Sequence, residues 1–346
     1  MRTSRSQTFV CFTGARWKRP AQARQLRSGA ALMLALWALF LLAAMVVSWA
    51  LDINSHLAIS GNANRVLEAE AMAASGAEVS LAREISPDSP NLHRQMADRQ
   101  SYDVQMTGEC GRINLNWLIQ GEDPTKLDIL KRYLSLKGIE LNDVDRMVDS
   151  LLDWVERNQG LKHLNACPES DDYHPPHAGR LFTVDELKKV CGWADFTARP
   201  NWDEDFTVVG SCGAIDLAWA SRDVLRALGI GDDHVDRFLQ LRRGEDGIDG
   251  TADDFQFSGG GATQLPAMTN AKMAGSAGGT IPVEVQSALG LTPDQLKQLQ
   301  PLIQFNSPVF RVVSVGRSGN VTRTVQMIIS KANLGGRPQV ISWKEL

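Results

Sequence analysis

The chain has 346 residues, of which 43% are hydrophobic and 22% charged, enough to fill the core of one large domain or two moderate ones. Residues 1–29 contain seven arginines and lysines and no acid; subtracting these charges from the net charge of −4 leaves about −11 for residues 30–346. A surface with that charge repels nucleic acid and anionic lipid headgroups, so composition argues against both as partners of the main part of the chain.

An apolar segment follows the basic one. Residues 30–51 contain no ionisable side chain, and at about 1.5 Å per helical residue they are long enough to cross the ~30 Å hydrocarbon core of a membrane. The pattern then becomes amphipathic, with one apolar stripe that holds Ile53, Leu57, Leu67, Ala74, Leu81 and Ile85. Because no proline occurs between Gly29 and Pro87, we predict one continuous helix, half in the membrane and half packed on a folded domain.

The basic residues set the orientation of this helix. Positive charge is retained on the cytoplasmic side of a membrane, which leaves residues 1–29 in the cytoplasm and exports the bulk of the chain. Two processing sites compete: a signal peptidase site that ends at Ala50, and a cut between Gly29 and Ala30 on the cytoplasmic side. The second is favoured, because an ordinary signal peptide has a shorter apolar core and no helical continuation.

Short strands and helices are predicted after the turn-rich break at Pro87. The first are strands at residues 102–106 and 112–115, helices at 123–137 and 142–158, and a short helix with a capping box at 183–186. Towards the end of the chain the pattern predicts a helix capped by Thr292, a hairpin of residues 309–315 and 321–330, and an edge strand at 340–343.

The chain contains an internal repeat, because residues 108–117 recur with substitutions as residues 210–219. Both segments contain Gly-x-Cys-Gly and end in tryptophan, and a Gly-Ile pair follows each of them further on. Two units of strand, helix, Gly-Ile turn and helix would bury their apolar faces on each other. The turns resemble the helix-hairpin-helix motif that binds DNA phosphates in other proteins, but Asp232 and Asp233 beside the second turn favour a purely structural hairpin.

Acidic side chains are concentrated after Gly244. A loop punctuated by glycines holds five carboxylates, the hard oxygen ligands that calcium binds six to eight at a time: Glu245, Asp246, Asp249, Asp253 and Asp254. Their spacing does not match an EF-hand, so a solvated Asp-Gly turn is the alternative to a calcium site. Residues 258–279 are rich in Gly, Ala and Ser, a composition typical of a flexible loop.

Four cysteines follow the basic segment, in a compartment that permits disulfides, and sequence alone leaves three pairings open. The repeat places Cys110 and Cys212 at equivalent positions in facing units, which leaves Cys167 and Cys191 as the second pair. A zinc site that the latter two share with nearby histidines is the alternative. The sequence has no serine-nucleophile motif and no phosphate-binding glycine loop, so we predict that the protein is not an enzyme.

Several of these features together resemble the type IV pilin and pseudopilin superfamily: the basic leader ending in Gly29, the apolar run, and the small residues of segment 69–77. Later segments are similar to those of K-type minor pseudopilins of type II secretion systems, namely residues 111–116, 151–155, 182–193 and 215–217. The matching segments extend from the leader to about Arg243.

The resemblance implies an α+β fold, in which a long N-terminal helix, membrane-spanning in its first half, packs on a small antiparallel sheet with a large inserted α-helical subdomain. The implied segments are a leader (1–29), the membrane and amphipathic halves of the helix (30–51 and 52–86), the first part of the sheet (87–116), the helical insertion (117–250), an acidic and then Gly-rich loop (251–280) and the last part of the sheet (281–346).

The resemblance also implies a function. The protein would be a single-pass subunit of the bacterial inner membrane, with its bulk in the periplasm, and would assemble into the pseudopilus that moves folded proteins outward. A prepilin peptidase would cut after Gly29 and methylate Ala30. Its partners would be I-type and J-type minor pseudopilins, the inner-membrane secretion platform and exported proteins, with no nucleic acid. K-type members are reported to bind calcium, which favours a metal site in the acidic loop.

One position departs from the superfamily pattern. Most pilin-like subunits place a glutamate fifth in the mature chain, where it pairs with the amino terminus of a neighbouring subunit, but this chain has Leu34 there. A subunit without that carboxylate cannot complete a bond to a subunit beyond it, which predicts a place at the filament tip. The alternatives are a minor pilin of an adhesion or DNA-uptake pilus and, from another class, a secreted hydrolase retained by an uncleaved signal.

Overall fold

The computed structural model describes residues 27–158, 163–257, 281–331 and 338–346. Most of the predicted leader, and the predicted flexible loop at residues 258–279, lie outside the described residues. The chain divides into two compact units, residues 1–63 and 64–346.

The N-terminal helix, α1, contains Arg27–Val79. Its apolar segment and its continuation are helical, as the sequence predicts, but the helix ends before Ile85. Beyond the helix the chain turns through hydrogen bonds between residues three apart, which tighten the helix end. Lys331 holds this turn by donating from Nζ to the carbonyl oxygens of Ala82 (2.9 Å) and Ile85 (2.6 Å).

The other regular elements follow in chain order. They are β1 (His93–Ala97), β2 (Gln100–Gly108), β3 (Ile113–Asn114), α2 (Leu115–Ile119), α3 (Pro124–Leu136), α4 (Leu141–Val155), α5 (Ala194–Thr197), β4 (Phe206–Thr207), β5 (Ile215–Asp216), α6 (Arg222–Ala227), α7 (Asp232–Arg242), α8 (Val283–Leu289), α9 (Pro293–Leu299), β6 (Ile303–Gln304), β7 (Val309–Ser318), β8 (Val321–Ser330) and β9 (Gln339–Glu345). Thr183 and Glu186 form the predicted capping box, on a 3₁₀ helix rather than an α-helix.

Five strands form one antiparallel sheet in the order β1-β2-β7-β8-β9. The predicted hairpin is β7–β8, and the predicted edge strand is β9. Strand β1 was not predicted, since all five of its side chains are exposed and its sequence has no alternating apolar pattern. Helices α2 to α9 all lie between β2 and β7 in the chain, so the predicted α+β class is confirmed.

Helix α1 and the sheet approach closely because both present small residues. Ala69, Ala73 and Ala77 of the helix are completely buried. A Cβ atom on Gly316 of β7 would lie 2.1 Å from the carbonyl oxygen of Ala69 and 2.2 Å from the amide nitrogen of Ala73. The predicted apolar stripe is wrong at this contact, since Leu67 is 64% exposed. Small side chains face the sheet because only they let the two backbones come this near.

The internal repeat has a structural counterpart. Helices α3 and α4 are joined through Gly138 (φ +80°), and α6 and α7 through Gly229 (φ +89°), a left-handed conformation that favours glycine. In each unit a two-residue strand precedes the helices and forms a parallel pair, β3 with β4 and β5 with β6. The apolar faces of both helix pairs contribute to one hydrophobic core, as the repeat predicts.

The contact between Gly316 and α1 gives a test of the fold. We expect Gly316→Ala to lower the free energy of unfolding by about 3 kcal/mol, because the new methyl group meets helix backbone that cannot rotate away. Gly210→Ala is the matched control, since no described atom lies within 4 Å of its added Cβ. Chemical denaturation of the two variants in detergent measures the difference, and equal stabilities would contradict this packing.

Candidate functional site

The predicted processing residues lie at the start of α1. Gly29 and Ala30 are in its first turns with exposed positions, and Leu34 is 71% exposed one turn later. Among the described residues, α1 is the one helix that is long and apolar enough to cross a membrane. The helix therefore has the physical character of a membrane anchor.

A buried carboxylate joins the five-stranded sheet to the helical part of the fold. Glu109, just after β2, is completely buried, and Arg311 of β7 donates to both of its oxygens at 2.7 and 2.9 Å. Arg112 donates to it at 3.2 Å, and the hydroxyl of Thr207 on β4 donates at 2.5 Å. The pKa of Arg112 is lowered by burial and by the neighbouring Arg311. Sequence analysis missed this cluster, because 202 residues separate Glu109 from Arg311.

Two disulfides are present in the structure, Cys110–Cys212 and Cys167–Cys191, the pairs that the sequence favours. The first connects the two repeat units at equivalent positions, next to Glu109. The second joins residues 24 apart in the helical part of the chain. Because the sulfur atoms of the second pair bond to each other, neither is a thiolate that could serve in the alternative zinc site.

The repeat also places a polar side chain at equivalent positions after Cys110 and Cys212. Asn114 caps α2 by accepting from two backbone amides, and its Nδ2 donates to the carbonyl oxygens of Val209 and Cys212. Asp216 is its counterpart; it is completely buried and accepts from the amides of Ala218 (3.0 Å) and Ser307 (2.6 Å). Burial raises the pKa of Asp216 to about 6, against the opposing effect of these hydrogen bonds and of Arg242.

The five predicted calcium ligands lie in one loop, but several of their carboxylates already have other partners. Asp249 accepts from Arg242 (2.8 and 3.0 Å) and from Arg243 (3.1 Å). Asp253 accepts from the backbone amides of Glu245 and Asp246, and Asp254 from that of Gly250. Within the described residues, no group of three or more His, Cys, Asp or Glu side chains is arranged to hold a metal ion. Calcium binding thus stays a prediction.

Arg242 fixes the base of the acidic loop. Its side chain is almost completely buried and donates to the carbonyl oxygens of Leu217 (3.1 Å) and Ala220 (2.6 Å), as well as to Asp249. Burial lowers the pKa of Arg242, while the charge of Asp249 opposes that shift. The loop is therefore attached to the second repeat unit through an ion pair that satisfies a buried guanidinium.

Comparison with known proteins identifies the fold. No protein-family profile and no curated protein sequence matches the chain. One chain of the crystal structure of the GspK-GspI-GspJ complex from the enterotoxigenic Escherichia coli Type 2 Secretion System is similar, with a TM-score of 0.54 and 13% identical residues over 85% of this chain and 99% of that chain. The two proteins share a fold. The resemblance predicted from the sequence is confirmed at that level.

The raised pKa of Asp216 predicts a specific pH dependence of stability. Between pH 3.8 and about 6 the native state keeps a proton that the unfolded chain has released, so this residue's contribution to the free energy of unfolding falls as pH rises. We expect the free energy of unfolding of the wild type, relative to that of Asp216→Asn, to decrease by roughly 2.4 kcal/mol between pH 4 and pH 7.

Urea denaturation at several pH values measures this difference. Asp171→Asn is the control, because Asp171 is exposed and its variant should follow the wild type at every pH. If the curves of Asp216→Asn and the wild type run parallel from pH 4 to pH 7, Asp216 does not retain its proton in the folded state.

Proposed function

We propose that the protein is a minor pseudopilin of a type II secretion system, and that it caps the tip of the periplasmic pseudopilus that drives folded proteins across the outer membrane. The observation that carries this proposal is the fold shared with a chain of the GspK-GspI-GspJ complex over 85% of this chain. An apolar helix long enough to cross a membrane is what storage of such a subunit in the inner membrane requires.

Processing follows from the same proposal. The prepilin peptidase cuts between Gly29 and Ala30 and methylates the new terminal amine. The helix then keeps its whole apolar run, with the terminal amine at its start. That amine can pair with a neighbour's glutamate in the bilayer, where a carboxylate is tolerable only if paired.

Two features support the tip position. Leu34 supplies no carboxylate for a bond to a subunit beyond it. The chain between β2 and β7 also adds eight helices to the sheet and α1 among the described residues, and this bulk would obstruct another subunit stacked above it. At the end of a filament the same bulk has free space.

The partners proposed for this subunit are proteins. I-type and J-type minor pseudopilins would bind it laterally and below, and the peptidase, the inner-membrane platform and exported proteins would meet it during the secretion cycle. The Gly-Ile turns give little support to a DNA-uptake pilin. Asp232 at the second turn already pairs with Arg226 (2.6 Å), and the chain beyond the leader is acidic, so phosphates would be repelled.

Calcium binding in the acidic loop is a further part of the proposal. Its support is the crowding of five carboxylates between residues 245 and 254. Binding would require some of these carboxylates to exchange the partners described above for the ion, whose charge would offset their mutual repulsion.

The metal proposal predicts a thermal shift. Millimolar calcium should raise the melting temperature by a few degrees over the value in chelator, because the ion binds only the folded loop. Magnesium should not replace it, since it demands a tighter octahedral set of oxygens. The double variant Glu245→Gln/Asp246→Asn should lose the shift. Calorimetry in which calcium and chelator give the same melting temperature would support the solvated Asp-Gly turn instead.

The tip proposal predicts where the subunit lies in assembled filaments. Gold-labelled antibody against this chain should mark one end of sheared pseudopili, because the subunit cannot continue the filament beyond itself. Leu34→Glu supplies the missing carboxylate and should move part of the label into the shaft. Leu36→Glu is the matched control, since it adds the same charge at an exposed position two residues away that does not correspond to the fifth mature residue. Label distributed along the shaft of wild-type filaments would refute the tip assignment.

A further inference from the structure

The two Gly-x-Cys-Gly turns of the repeat are equivalent in sequence but not in their surroundings. Each runs from one glycine to another three residues later, and each is followed by a tryptophan six residues after the second glycine. The disulfide Cys110–Cys212 joins them directly. The glycines of the first turn, Gly108 and Gly111, are buried, whereas those of the second turn, Gly210 and Gly213, are exposed.

The first turn is filled by the tryptophan of the other unit. A Cβ atom on Gly108 would lie 2.1 Å from Cδ1 of Trp219, and one on Gly111 would lie 2.5 Å from the backbone oxygen of Trp219. Both positions therefore have to be glycine, because the indole and its backbone occupy the space that a side chain would need. The first turn is a binding slot for an aromatic residue, and the chain itself supplies the occupant.

The second turn has no such occupant among the described residues. No described atom lies within 4 Å of a Cβ built on Gly210 or on Gly213. The equivalent tryptophan, Trp117, contacts Lys126 instead: the Lys126 Nζ lies 4.9 Å from the centre of the indole ring and donates to the Trp117 carbonyl oxygen. A cavity of about 950 Å³ lies between Trp117 and the two glycines. That volume is typical of sites that bury a ligand.

The rim of this cavity carries an exposed aromatic side chain and two arginines. Phe182 is 60% exposed, and the guanidinium of Arg180 lies 4.9 Å from the centre of its ring. Arg180 and the other lining arginine, Arg157, form no ion pair with a carboxylate of the described residues. The lining also holds two acids: Glu122, which pairs with His163 at 3.3 Å, and Glu156, which accepts from a backbone amide at 2.7 Å.

We infer that this cavity binds an extended segment of a partner protein, in which an aromatic side chain is flanked by acidic residues. The aromatic side chain would lie against the Gly210–Gly213 turn as Trp219 lies against the first turn. The flanking carboxylates would pair with Arg157 and Arg180, whose planar guanidinium groups suit bidentate binding of carboxylates. The inference concerns the isolated protein and does not depend on a position in a filament.

A short peptide probe tests the inference. The probe is a blocked pentapeptide, Gly-Asp-Trp-Asp-Gly, with a fluorinated indole whose fluorine NMR signal reports binding to the full-length protein in detergent. We expect saturable binding to the wild type. Gly213→Leu should weaken the binding at least tenfold, because the added side chain fills the slot. The double variant Arg157→Glu/Arg180→Glu should weaken the binding to a similar extent.

Matched controls separate the slot from general effects. Gly231→Leu adds the same side chain at another exposed glycine, where the nearest atom is 3.9 Å from the new Cβ, and should keep the affinity within twofold. The probe with alanine in place of tryptophan, and the probe with lysines in place of the aspartates, should bind at least tenfold more weakly than the original. All three peptides also carry a fluorine label on the blocking group, so that the same signal reports the binding of each.

Three outcomes would overturn the inference: no saturable binding of the tryptophan probe, unchanged affinity in Gly213→Leu, or equal binding of either altered peptide. The peptide arms use the wild-type protein, so they decide the matter even if a variant fails to fold. Filament position does not enter this readout, so failure here would leave the proposed pseudopilin function standing.

Discussion

The fold depends on how it neutralises one buried charge. Glu109 is completely enclosed, and an ionised carboxylate in that position is destabilising unless hydrogen bonds and opposite charges replace the water it has lost. Its partners come from distant parts of the chain, Arg311 on the sheet and Thr207 beside the helical core. The hydrogen bonds to this carboxylate therefore connect the sheet to the helical part of the fold. Removal of one partner from such a buried pair typically costs about 3–5 kcal/mol, because the remaining charge stays buried. The neighbouring disulfide fixes the same junction covalently.

One small sheet carries both the long helix α1 and, through the junction at Glu109, the additional helices α2 to α9. Alanines of α1 and Gly316 let the helix lie close to β7. The helical region begins after Gly108, at the C-terminal end of β2, and the chain returns to the sheet at β7. In the proposed pseudopilin the long helix would serve assembly, while the added helices would present surfaces of their own. The open turn at Gly210 and Gly213 is one such surface. Its glycines correspond to Gly108 and Gly111 of the first turn, but no described residue lies against them as Trp219 does there.

Local sequence patterns predicted much of this architecture, but they did not predict contacts between residues that are far apart in the chain. The apolar run, the helix cap at Thr292 and the β7–β8 hairpin are encoded by neighbouring residues, so spacing alone identifies them. The alternation that would have predicted β1 is absent from an exposed edge strand. The choice of alanines rather than Leu67 for the helix–sheet contact depends on how near two backbones lie, which periodicity does not measure. The acidic loop shows the same limit, because its sequence suggests ligands for a cation but does not reveal that Arg242 already binds Asp249.

The most direct test of the account is the intact mass of the protein purified from the membranes in which it is made. A pilin-like subunit cut after Gly29 has the mass of residues 30–346 plus CH2, because the N-methyl group replaces one hydrogen, less four hydrogens for the two disulfides. Reduction should restore those four hydrogens and leave the methyl group in place. A mass that corresponds to a chain beginning at Met1, or at Leu51 after signal peptidase cleavage, would contradict the assignment to the pseudopilins.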